Sequence, residues 1–93
     1  ERALRLELGQ LCIEAGRIDL AVPQLEQLDQ EVTRFSLEEW EPELATAVVR
    51  SLWQCCAGQK PAPSLAARSQ DIYARLCRLD PAAAVSATGP QGS

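Results

Sequence analysis

The chain contains no histidine, no asparagine and a single lysine, Lys60, and each lack removes a class of function. Without histidine, acid–base work near neutral pH would need a strongly perturbed carboxylate or lysine. A mixed Cys/His zinc site cannot be assembled either. No Gly-rich phosphate loop is present, and helices as short as those read below leave little room for a pocket beside a core. The chain reads as a non-enzyme, with no catalytic, cofactor-binding or metal-ligating residue and no cofactor.

Basic charge is also sparse. Eight arginines and one lysine face thirteen acidic residues, for a net charge of −4. Nucleic-acid binders gather basic charge on one face, whereas these arginines are scattered, so nucleic acid is excluded as a partner. No apolar run approaches the ~20 residues needed to cross a bilayer, and no signal peptide opens the chain. Direct membrane insertion is not expected. The first residue is Glu1, which reads as the start of a piece cut from a longer protein.

Cys12, Cys55, Cys56 and Cys77 raise the question of a disulfide or a metal. There is no C-x-x-C, and adjacent Cys55 and Cys56 point about 100° apart on a helix. They read as small apolar side chains in a reducing compartment. A thiol-based redox or metal module is the competing reading, and a thiol count with a metal assay would test it.

Of the 93 residues, 46% are hydrophobic and 24% charged, as in an ordinary globular chain. A single domain of this size buries about 60–65% of its unfolded surface and is marginal alone, so a partner surface is a natural supplement.

Hydrophobic spacing divides the chain into four main helices. Leu4, Leu8, Leu11, Cys12 and Ala15 form the apolar stripe of a first helix over 2–15, with Leu6 and Ile13 on a thinner second stripe. Gly16 ends it. Asp19 reads as the N-cap of a second helix with Pro23 in its first turn, and Ala21, Leu25, Leu28, Val32 and Phe35 make its stripe. Ser36 to Glu41 is a capped connector, with Ser36 and Glu39 at capping-box spacing. Pro42 opens a third helix running to Cys56, apolar nearly all round through Leu44, Ala45, Val48, Val49, Leu52, Trp53, Cys55 and Cys56. The segment from Ala57 to Pro63 is a loop. Ser64 caps a fourth helix carrying Leu65, Ile72, Leu76 and Leu79, which Asp80-Pro81 ends. The other serines, Ser51 and Ser69 among them, read as caps or surface positions.

These elements make an all-α fold of two helical hairpins, a helical domain over 1–81 followed by a disordered tail over 82–93. The first hairpin has the small and large positions of tetratricopeptide-type packing at Leu8, Gly9, Cys12, Gly16, Ala21, Leu25 and Leu28.

Two features point outward. Acidic residues crowd Glu26 to Glu43 (Glu26, Asp29, Glu31, Glu38, Glu39, Glu41, Glu43), while the fourth helix carries Arg68, Arg75 and Arg78. This is either solvated surface or head-to-tail complementarity between copies. Apolar residues also exceed the main stripes. Leu6, Ile13, Ile18 and Val22 lie off them, and Trp40 and Trp53 are suitable anchors. The third helix is either the central one or an interface. Candidate interface residues are therefore Leu6, Ile13, Ile18, Val22, Glu38, Glu39, Trp40, Glu41, Pro42, Trp53, Arg75 and Arg78.

Three blocks, taken together, resemble a known family: Leu4-Arg5-Leu6-Glu7-Leu8 through Cys12-Ile13-Glu14-Ala15-Gly16-Arg17, then Leu37-Glu38-Glu39-Trp40-Glu41-Pro42, then Tyr73-Ala74-Arg75-Leu76-Cys77-Arg78-Leu79-Asp80-Pro81. Their order and separation are similar to the C-terminal domain of TssA proteins of the bacterial type VI secretion system, in the branch labelled VasJ. The resemblance implies a cytoplasmic scaffold, oligomerised into a large closed ring. Through the full-length protein it would serve baseplate, tube and sheath assembly. The alternative is a monomeric tetratricopeptide-like adaptor gripping a partner peptide. Such grooves usually use Asn, Lys or Arg to hold the peptide, and they normally need three or more repeats.

Overall fold

The computed structural model describes residues 2–57 and 63–82, and every element among them is helical. In order these are α1 (Arg2–Glu14), α2 (Ile18–Arg34), a single-turn α3 (Leu37–Trp40), α4 (Pro42–Ala57), a 3₁₀ segment (Pro63–Arg68) and α5 (Ser69–Leu79). The expected loop falls partly on residues 58–62, and the expected tail largely on 83–93. Both of these stretches lie outside the described residues.

Helix α4 packs against α1, α2, α3, α5 and the 3₁₀ segment. Its nearly continuous apolar surface is thus that of a central helix, with Ala45, Val48, Val49, Leu52 and Cys55 buried. Ser51 is buried there as well, and its hydroxyl accepts a hydrogen bond from Gln10 Nε2 of α1 at 3.5 Å. It is neither a cap nor a surface serine. Helix α2 supplies Ala21, Val22, Leu25, Leu28 and Val32 to the same core, and the last hairpin adds Leu65, Ile72 and Leu76. Each fully buried leucine contributes about 1.5–3 kcal/mol.

Helix α1 faces the opposite way from its main stripe. Leu6 and Gly9 are its buried positions and Ile13 packs against the core, while Leu4, Leu8 and Leu11 point to solvent. Gly9 gives the reason. A Cβ there would meet Leu25 Cδ2 at 3.1 Å and Cγ at 3.3 Å, so Leu25 of α2 packs tightly onto the face of α1 that lacks a side chain. Turning α1 to bury the larger leucines would remove that contact.

The turns are resolved one by one. After α1, Arg17 N donates to Cys12 O (2.8 Å) and Gly16 N to Ile13 O (3.0 Å) around Gly16 at φ +77°. This is a Schellman closure, which favours glycine. Helix α2 starts two residues earlier than expected, with Arg17 as the N-cap residue and no side-chain cap. Asp19 lies inside the first turn, paired with Arg17, and Pro23 lies beyond it. Both expectations for these residues are corrected. Asp19 favours the positive helix end by its charge, and its carboxyl is held below the ordinary range chiefly by the Arg17 hydrogen bond, with backbone N–H groups of the first turn adding to it.

Ser36 ends α2 at φ 55° and ψ 43° with no side-chain cap bond, so no capping box forms. The helix expected from Ser64 divides into the 3₁₀ segment and α5, with Ser69 Oγ donating to Ala66 O at 3.1 Å.

Candidate interaction surface

Burial sorts the candidate interface residues into three groups. Leu6 and Val22 are core residues of this chain and offer no surface. Ile13, Ile18 and Trp53 are half-buried against that core, and the Trp53 ring lies 5.0 Å from Tyr73 at a 45° tilt. These three make better structural than docking residues. Trp40 stands out instead, at 77% exposed, with Glu39, Glu41 and Pro42 exposed around it.

Charge is likewise spent inside the chain. Arg68 of the 3₁₀ segment reaches Glu26 Oε2 (3.1 Å) and Asp29 Oδ2 (3.3 Å). Arg75 of α5 pairs with Asp29 at 2.7 Å and with Glu38 Oε2 at 3.4 Å. The opposition between the acidic stretch and the arginines of the last helices therefore serves, for these residues, to hold α5 against α2 and α3 rather than to join copies. Arg78 is exposed and shares in none of these pairs. A second clasp joins α1 to α2, where Arg2 Nε (2.7 Å) and Arg5 Nη2 (2.9 Å) both donate to Glu31. These guanidinium groups hold the Glu31 carboxyl below its ordinary range.

The surface also carries an apolar strip. Leu4, Leu8 and Leu11 are 66%, 52% and 59% exposed, and at spacings of four and three they line one face of α1. Spacing had marked these residues as core, so they were missed as surface. Their dual-faced helix was the available signal. At the start of α1, Arg2 and Ala3 form one side of a groove whose other side is Trp40, Glu41, Pro42, Glu43 and Leu44. The ring of Phe35, expected in the core, is half exposed beneath the Arg2 guanidinium, 5.3 Å from the ring centre.

All four cysteines are free thiols. Burial pushes the Cys55 thiol up to about 11, with neighbouring Cys56 adding to the effect. Among the described residues, no group of three or more His, Cys, Asp or Glu could hold a metal ion. No helix among them is long and apolar enough to cross a membrane.

No curated protein and no solved structure matches the chain. A family model described as "Type VI secretion, EvfE, EvfF, ImpA, BimE, VC_A0119, VasJ" matches residues 2–52. The match runs from the start of α1 through most of α4 and includes the Leu37–Pro42 block. Because it spans more than half of its length, the chain belongs to this VasJ family of type VI secretion proteins.

Proposed function

We propose that this domain is a non-enzymatic oligomerisation scaffold of a TssA-like protein, cytoplasmic in its bacterium. Its copies close into a ring that supports baseplate, tube and sheath assembly. The observation that carries this reading is the outward leucine stripe of α1. The inner face of that helix already completes the core, so Leu4, Leu8 and Leu11 form an apolar strip that the folded monomer does not use. A small core gains from covering it. An interface of this kind between unlike faces, repeated with a closing rotation, yields a ring.

In this reading residues 1–81 are the oligomerisation unit, and the α1–α2 pair packs in the tetratricopeptide manner, with Gly9 as the small residue against Leu25. The described helices form two hairpins, fewer than the repeats a tetratricopeptide peptide groove uses, so the adaptor reading gains no support.

The test is the solution mass of the fragment by light scattering during gel filtration. A single species many times 10.1 kDa, reduced in mass by Leu8→Glu, is the expected result. A monomer at micromolar concentration would overturn the ring.

A further inference from the structure

We propose that the groove between the start of α1 and the α3–α4 corner docks a basic, arginine-bearing segment of a different protein, with Trp40 as its anchor. The site does not depend on the ring. It uses the corner of α3 and α4, whereas the proposed subunit contact uses the outer stripe of α1.

Shape and exposure come first. Trp40 is the most exposed of the large apolar side chains, held at the end of a one-turn helix whose Leu37 is buried in the core. The backbone beneath it is well tied. Trp40 N donates to Ser36 O, Glu41 N to Leu37 O at 2.7 Å, and Ala45 N to Glu41 O at 3.0 Å. The indole is thus presented on a fixed turn, with Pro42, Leu44 and Ala3 in the same groove. A rigid aromatic anchor of this kind loses little conformational entropy when a partner covers it.

Charge selects the partner. Glu39, Glu41 and Glu43 form no ion pair among the described residues, in contrast to Glu38, which Arg75 holds. Three positive contributions oppose them. The N-terminus of α4 carries about half a unit charge, Arg2 with Arg5 exceeds Glu31 by one, and Arg34 adds one more from beside Phe35, 5.5 Å from the ring centre. The Arg2 guanidinium is already engaged, by Glu31 at 2.7 Å and over Phe35 at 5.3 Å. The rim therefore stays net negative. An indole face beside carboxylates is the surface that favours arginine, which can stack on the ring and pair with the rim together. An acidic partner would meet repulsion, which gives selectivity as well as attraction.

The test uses fluorescence anisotropy of a dye-labelled synthetic peptide of four arginines flanking two leucines, with a control in which glutamates replace the arginines. Saturable binding of the basic peptide alone is expected. Trp40→Ala should weaken it about tenfold or more, the range of an interface anchor. Combined Glu39→Gln, Glu41→Gln and Glu43→Gln substitutions should weaken it comparably and flatten its salt dependence. Melting temperatures should stay near that of the parent, and Leu8→Ser should leave affinity unchanged. Equal binding of the acidic peptide would overturn the proposal, as would indifference to the glutamine substitutions. Loss of binding in Leu8→Ser would assign the ligand to the leucine stripe instead. A fall in oligomer mass on Trp40→Ala would make the corner a contact between copies and overturn it too.

Discussion

Asp29 Oδ1 on α2 lies 2.7 Å from Arg75 Nη2 on α5, and this pair ties the first hairpin to the last helix. The Asp29 side chain is nearly buried; Oδ1 is held by this ion pair without a hydrogen bond of its own, while Oδ2 accepts two, from Arg75 Nη1 at 3.0 Å and Arg68 Nη2 at 3.3 Å. A carboxylate this enclosed is tolerable because guanidinium donors replace its water. Asp29 raises the pKa of Arg75 above its ordinary value, and Glu38 adds to the effect.

Removing one side of that cluster should cost more than the cluster contributes as a whole. Arg75→Ala leaves the Asp29 carboxylate with only the exposed Arg68, and should destabilise the fold by about 2–4 kcal/mol in urea denaturation. Arg75→Ala combined with Asp29→Ala should recover part of this loss, because no uncompensated charge then remains. A single substitution as mild as a surface change would show the pair to be incidental.

Leu8 and Leu25 should behave as opposites. Leu25 is fully buried, and Leu25→Ala should cost about 2–5 kcal/mol. Leu8→Ser, on the outward face, should stay within about 0.5 kcal/mol of the parent. If Leu8→Ser matches Leu25→Ala in the intrinsic stability of the monomer, the orientation of α1 is wrong.

The two left-handed turns make a matched pair. Gly16→Ala meets no atom within 4 Å, so its penalty of about 1 kcal/mol is conformational alone. Ser36→Gly relieves the same strain and should stabilise by about 0.5–1 kcal/mol. Thermal melts of the two variants should move in opposite directions.

Acid should loosen the α1–α2 clasp. The carboxyl of Glu31 is held down by hydrogen bonds from Arg5, then Arg2. Its contribution is present above the ordinary glutamate range and is lost as pH falls through the depressed folded value. Glu31→Gln should therefore flatten part of the acid limb of melting temperature against pH. Identical curves for parent and variant would remove Glu31 from the acid response.

Thiol reactivity should report burial. With its pKa near 11, Cys55 is almost wholly protonated at pH 8, and alkylation there should proceed only as fast as the chain opens. Cys55→Ser in the same assay should leave the fast-labelling thiols unchanged. Rapid labelling of Cys55 in the folded chain would contradict its burial near the C-terminal end of α4.

Local features were legible wherever a residue type has few alternatives. Gly16 marked a helix end because a left-handed turn favours glycine, Pro42 marked a helix start because its ring suits the first position, and Asp80-Pro81 marked a stop. Ser36 gave no such sign. Serine disfavours that conformation, and only the chain reversal between α2 and α3 imposes it. The Trp40 corner was visible as a candidate surface, since its flanking glutamates are incompatible with burial.

Periodicity determined that this chain is helical and which residues share each helical face, because those follow from 3.6 residues per turn. It could not rank the two apolar faces of α1. Spacing counts side chains, whereas packing depends on how closely backbones approach, and Gly9 against Leu25 settled that question. Charge order along the chain likewise set the acidic and basic segments apart, but not whether they meet within one molecule. The tertiary structure decided this by bringing Arg68 and Arg75 onto Asp29. Coulomb attraction depends on distance in space and burial rather than on separation in sequence.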